Sequence, residues 1–138
     1  PRTSSAASDV YKRQLEDCLT NMNRALKKNG KILVAIPNPE SWDCLYYKKF
    51  WAAWDVPIHL WHFSKKNISI LFKNYGLELI KTRPMIFDSF YISILSEKFK
   101  HGKLNLIKSF FIGAYSNLIG LTTNKGCSST IYIFKKTK

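Results

Sequence analysis

Two histidines in the segment VPIHLWHF, residues 56–63, are the side chains of this chain best suited to moving a proton. A neutral imidazole can accept the proton of a hydroxyl as its oxygen becomes a nucleophile. Alternate side chains of an extended segment face opposite ways, so His59 is expected to point with Trp61 and Phe63, and His62 with Leu60. One histidine then lines a pocket while the other packs, and His59 is the candidate general base. The competing reading is a structural histidine bonded to backbone. Asn38, Trp42, Trp61, His62 and Asp88 form the candidate substrate-binding set, with Asp88 placed to hold a substrate hydroxyl. No metal site is expected. Cys18, Cys44 and Cys127 are widely spaced, form no C-x-x-C and lack a histidine pair at zinc spacing, so they read as reduced packing residues.

The element that must position these groups is KILVAIPN, residues 31–38. Its five consecutive apolar residues read as a strand buried on both faces, as in parallel α/β sheets, and Pro37-Asn38 ends it where such folds keep their ligands. Before it, Leu15, Leu19, Met22 and Leu26 recur at helical spacing, and Gly30 is expected to take the left-handed turn that closes the helix. After it, residues 39–63 hold all four tryptophans, together with Tyr46, Tyr47, Phe50 and Phe63. This insertion reads either as a lid over the carboxyl end of the sheet or as a satellite core.

Ser64 is a predicted N-cap for a helix carrying Ile68, Leu71, Phe72 and Tyr75 on one face and ending at Gly76. Residues 77–82 suit an edge strand. Phe87, Tyr91, Ile94, Leu95 and Phe99 are then spaced as the core face of a further helix. A second helix, residues 104–121, is apolar around much of its circumference, which predicts a buried helix or, alternatively, a membrane-surface or dimer contact. Residues 128–136, SSTIYIFKK, present two apolar faces and read as a central strand.

At 138 residues and 46% hydrophobic content, the chain is long and apolar enough for one domain with a real core. The net charge of +13 raises nucleic acid or anionic lipid as partners. Eighteen of the 22 basic residues are lysine, scattered singly or in pairs, and only four are the arginine that specific base readers favour. Nucleic acid is therefore not expected. No signal peptide or confident membrane span is seen, and the expectation is a cytoplasmic protein.

The order RALKKNGKILVAIPNPESW followed by VPIHLWHFSKKNISILFKNYGLELI resembles the C-terminal half of a class I S-adenosylmethionine-dependent methyltransferase, and the resemblance spans residues 15–138. It implies the fold class α/β, with the three strands as the fifth, sixth and seventh of a Rossmann-like sheet under an aromatic lid. The seventh would be antiparallel and lie between the other two. It also implies methyl transfer to a small-molecule acceptor, with S-adenosylmethionine as cofactor. The family's Gly-rich turn has no counterpart: no G-x-G occurs, so cofactor-binding residues are expected outside this chain, which alone would be inactive. The alternatives are a basic binding module for nucleic acid or anionic lipid, and a non-catalytic scaffold of the same fold.

Residues 1–14 stand apart. SSAASDVYKRQ, residues 4–14, resembles a translated transposon-end sequencing adaptor, so this stretch reads as a non-native or disordered tail ahead of a partial domain, residues 15–138. A strand 31–38 without its usual outer neighbour would leave an open apolar edge, which predicts aggregation or a homodimer through that edge.

Overall fold

The computed structural model describes residues 2–55, 59 and 61–137, with side chains from Tyr11 onward. Helix α1 (Arg2–Ala25) leads into strand β1 (Lys31–Pro37). A short helix α2 (Trp42–Tyr47) and two 3-10 turns, Lys48–Phe50 and Ala52–Trp54, form the insertion. Then come α3 (Lys65–Asn74), β2 (Leu77–Pro84), the helical hairpin α4 (Ile86–His101) and α5 (Leu106–Thr122), and finally β3 (Ser129–Lys136). The strands form one sheet in the order β1-β3-β2, with β3 antiparallel to both neighbours. The last strand thus lies between the other two, the order expected from the sequence.

One face of the sheet carries a core. Ile32, Val34 and Ile36 of β1 meet Leu77 of β2 and Tyr132 and Phe134 of β3, under Leu19 of α1 and Ile68 and Phe72 of α3. Phe72 stacks on Phe134 with ring centroids 4.0 Å apart. Each wholly buried side chain here contributes roughly 1.5–3 kcal/mol, so this face alone anchors α1 and α3 to the sheet. The caps behave as their residue types require. Ser64 Oγ accepts from Asn67 N at 3.2 Å, and Gly76 takes φ 74 just past the end of α3.

Three expectations are corrected, and one of two open readings is decided. Strand β1 is not buried on both faces: its exposure alternates, and Leu33 is 64% exposed, while α4 meets that side of the sheet at Ser129. Gly30 does not take the left-handed turn; Asn29 does, at φ 63. Gly30 serves close approach instead, since a Cβ there would lie 2.8 Å from Lys27 O. Helix α1 begins at Arg2 rather than near residue 15, so the segment expected as a tail continues the helix N-terminally. The insertion is mostly a second core rather than a lid. Cys44, Tyr47, Trp51, Ala52 and Ala53 pack with Ile92 of α4 and Ile112 of α5.

The α4–α5 hairpin reverses the predicted faces. Ser89, Ile92, Ser93, Ser96 and Glu97 are the buried residues of α4, whereas Phe87, Tyr91 and Phe99 are exposed. In α5, Ser109, Ile112, Gly113, Ser116 and Asn117 face inward, and Ile107, Phe110, Phe111 and Leu118 face outward. Helix α5 is therefore not a buried helix. The cause is the short distance between the helices: a Cβ on Gly113 would lie 3.0 Å from Phe90 Cα, so only small residues fit the contact. Several hydroxyls and amides pair there, as Ser89 Oγ donates to Asn117 Oδ1 at 2.7 Å, while Ser93 Oγ has no partner among the described residues.

Candidate functional site

Two cavities lined by described residues bear on the candidate site. The larger, about 410 Å³, lies between Asn38, the Thr82–Pro84 end of β2 and the turn after α5. Asn38 is buried there and its polar atoms are engaged by the chain itself. Its Nδ2 donates to Lys125 O at 2.7 Å and Cys127 O at 3.0 Å, and its Oδ1 accepts from Glu40 N at 3.1 Å. It ties the end of β1 to the turn before β3, a structural task rather than the substrate contact expected. Cys127 and Tyr132 line the same cavity, and burial pushes the ionisation of both upward, so neither is primed as a nucleophile.

The smaller cavity, about 250 Å³, holds the better chemistry. Pro37 at the carboxyl end of β1, Ala52, Ala53, Asp55 and His59 of the insertion, and Asp88, Tyr91, Ile92, Leu95 and Phe99 of α4 line it. It thus unites His59 and Asp88, two candidates 29 positions apart in the chain. His59 Nδ1 stands 3.2 Å from Asp55 Oδ2, and the His59 backbone N–H donates to Asp55 O at 2.9 Å. Asp55 sits in the left-handed region at φ 38, a conformation aspartate tolerates better than most residues.

This pairing sets the role of each ring nitrogen. A carboxylate at Nδ1 favours the tautomer with the proton there and leaves Nε2 as the acceptor. Asp55 therefore orients the imidazole, and His59 is left able to take a proton from a ligand in the cavity. Across the cavity, Asp88 Oδ2 accepts from Ser129 Oγ, which pins the carboxyl to the start of β3. Among the described residues its Oδ1 has no hydrogen-bond donor, so it can accept from a ligand hydroxyl. The remaining wall is apolar and aromatic, from Ile92, Leu95, Tyr91 and Phe99.

The other candidates are placed elsewhere. His62 Nε2 lies 3.0 Å from Trp54 O, and its ring meets Trp54 edge-on, so it is the packed histidine of the two. Trp61 stacks on Phe63, and Trp42 stacks on Tyr46 and meets Tyr115 edge-on. None of these three lines the cavity with His59. The extended segment that was to set the histidines' directions falls partly on residues 56–58 and 60, outside the described residues.

Three functional side chains escaped the sequence reading. Asp55 was legible only as an i, i+4 partner of His59 in a stretch with no helical pattern. Asp43, wholly buried, accepts from Trp51 Nε1 and from Ser116 Oγ, each at 2.7 Å, and so clamps the insertion to α5. Glu97 is buried beside Lys108 Nζ at 3.1 Å and His101 Nε2 at 3.7 Å. Burial first, and then Glu97, pushes the neighbouring Tyr47 phenol well above its ordinary range. Among the described residues no group of three or more metal-ligating side chains occurs.

The glycines do not form a cradle for a nucleotide-like cofactor. Gly120 closes on the backbone of Gly126 and Cys127, where a Cβ would sit 2.6 Å away, and Gly126 closes on Asn38. Both glycines are thus taken up by close packing within the fold. Comparison with protein-family models, with curated proteins and with solved structures returned no match.

Proposed function

We propose that this chain is the acceptor-side part of a class I methyltransferase, in which the cavity under the insertion holds a small molecule bearing a hydroxyl. The single observation that carries the reading is the convergence of the Asp55–His59 pair and Asp88 on one cavity beside Pro37, where β1 ends. The strand order β1-β3-β2, with an antiparallel last strand, supports it as well. Asp88 accepts a hydrogen bond from a hydroxyl of the acceptor and orients it. His59, held by Asp55, takes the proton of the hydroxyl that becomes the nucleophile. The apolar wall of Ile92, Leu95 and Phe99 receives the hydrophobic part of the acceptor. Methyl-donor binding falls to residues outside this chain, and no step of it is assigned here.

The test is to read the gene upstream of residue 15, express the whole reading frame and assay transfer of a labelled methyl group from S-adenosylmethionine to hydroxyl-bearing acceptors. In an active protein, His59→Gln is expected to lower kcat about 10²- to 10⁴-fold, with Asp55→Asn costing less. A reading frame without a Gly-rich turn after its first strand, or a His59→Gln protein of undiminished kcat, would overturn the proposal.

A further inference from the structure

The outward face of the α4–α5 hairpin has no partner in the fold. In a helix pair exposed to water, large apolar side chains face inward and polar ones outward. Here the arrangement is inverted. The contact between the helices is built from serine, glycine and asparagine, with Ser89 Oγ donating to Asn117 Oδ1 and Asn117 Nδ2 to Ile86 O. Close contact through small residues and hydroxyl hydrogen bonds is how helices associate when their outer surfaces meet lipid. Outward lie Phe87, Ile107, Phe110, Phe111, Leu118 and Leu121, of which Phe87 is 88% and Ile107 75% exposed. Along α5, Ile107, Phe111, Tyr115, Leu118 and Leu121 recur every three or four residues, and the only charged residue of that helix is Lys108.

The charges at the α4–α5 turn beside this face are basic. Lys98, Lys100 and Lys103 cluster at the turn between α4 and α5, with Lys48 and Lys49 on the neighbouring 3-10 turn. The acids of α2 and α4 are turned inward, and α5 has none: Asp43 and Glu97 are buried, and Asp88 is bonded to Ser129. A second copy of the chain would bring lysines against lysines, whereas an anionic surface would meet them with opposite charge. No described helix is long and apolar enough to cross a membrane, so the hairpin would lie along the surface rather than through it.

We propose that the outward face of α4–α5 seats this protein on anionic lipid bilayers, with the phenylalanines and Ile107 entering the acyl boundary and the turn lysines meeting headgroup phosphates. The inference does not depend on the methyltransferase reading. It is tested with the 138-residue chain by co-sedimentation with vesicles of phosphatidylcholine alone and of phosphatidylcholine mixed with phosphatidylglycerol. The mixed vesicles should bind the chain about tenfold more strongly or better, and salt raised from about 50 to 500 mM should weaken that preference. Phe110→Ser with Phe111→Ser should lower partitioning at least about tenfold while leaving the circular dichroism unchanged. Lys98→Gln with Lys103→Gln should remove most of the preference for phosphatidylglycerol. Wild-type protein left in the supernatant at every lipid composition would overturn the proposal, as would unchanged binding after both pairs of substitutions. So would a lipid-free dimer that Phe110→Ser with Phe111→Ser dissociates while vesicles leave the wild type unbound, since the face would then belong to a second copy.

Discussion

Replacing Asp43 tests whether the insertion is held to the hairpin by a buried polar clamp. The carboxyl is inaccessible to solvent and receives Trp51 Nε1 on Oδ2 and Ser116 Oγ on Oδ1, both at 2.7 Å. Asp43→Ala strands an indole N–H and a hydroxyl, at about 1–3 kcal/mol for each unsatisfied buried group. The expected loss is roughly 3–5 kcal/mol, a large share of the ~5–15 kcal/mol that holds a typical domain together. Asp43→Asn behaves differently. Its oxygen still accepts from Trp51, its amide can donate to Ser116 Oγ once that hydroxyl rotates, and the loss should be about 1 kcal/mol. Urea unfolding followed by tryptophan fluorescence reads both variants, with Trp51 itself reporting on the clamp. A loss below about 1 kcal/mol for Asp43→Ala, or equal losses for Ala and Asn, would refute the reasoning. A double-mutant cycle with Ser116→Ala should return a coupling of about 0.5–3 kcal/mol.

Three further outcomes follow from the same geometry. Burial first and then Asp43 push the Cys44 thiol up to about 12, and burial raises Cys127, whereas Cys18 is exposed. Native protein treated with iodoacetamide at about pH 8 should therefore be alkylated at Cys18 alone by mass spectrometry, and at all three cysteines in urea. Alkaline stability should decline above about pH 10. The folded chain keeps protons on Tyr47, raised above its ordinary 10.0, and on Lys108, raised above 10.5 chiefly by its hydrogen bond to Glu97. The unfolded chain releases those protons at the ordinary values, so rising pH favours unfolding, and thermal melts should show a shallower decline for Tyr47→Phe. Gly120→Ala should cost about 1–3 kcal/mol in urea unfolding, because its Cβ would meet the backbone of Gly126 and Cys127 at 2.6 Å, where no side chain can rotate away.

What could be read from the sequence was local. The apolar spacing of α1 and α3, the Ser64 cap, the Gly76 stop and the central character of β3 depend on residues within a turn or a strand of one another. Those interactions exist before the chain is packed. The resemblance added the order β1-β3-β2, which periodicity alone does not specify. The tertiary structure decided which surfaces were available to receive each apolar face. Leu33 is as apolar as Val34, yet Val34 packs into the core under α1 and α3 while Leu33 is left exposed. Phe87, Tyr91 and Phe99 have core spacing, but the hairpin closes too tightly for them, so serine and glycine occupy its interior and the aromatics turn outward.

The same distinction governs the site. His59 and Asp88 were visible as residues able to move or accept a proton, but only folding set them on one cavity, with Asp55 as the partner that orients the ring. Asn38 was visible at the end of its strand, yet the turn at residues 125–127 takes its hydrogen bonds. Side-chain chemistry is written in the sequence one residue at a time. Which donor reaches which acceptor depends on how closely separate elements approach, and that distance belongs to the folded chain.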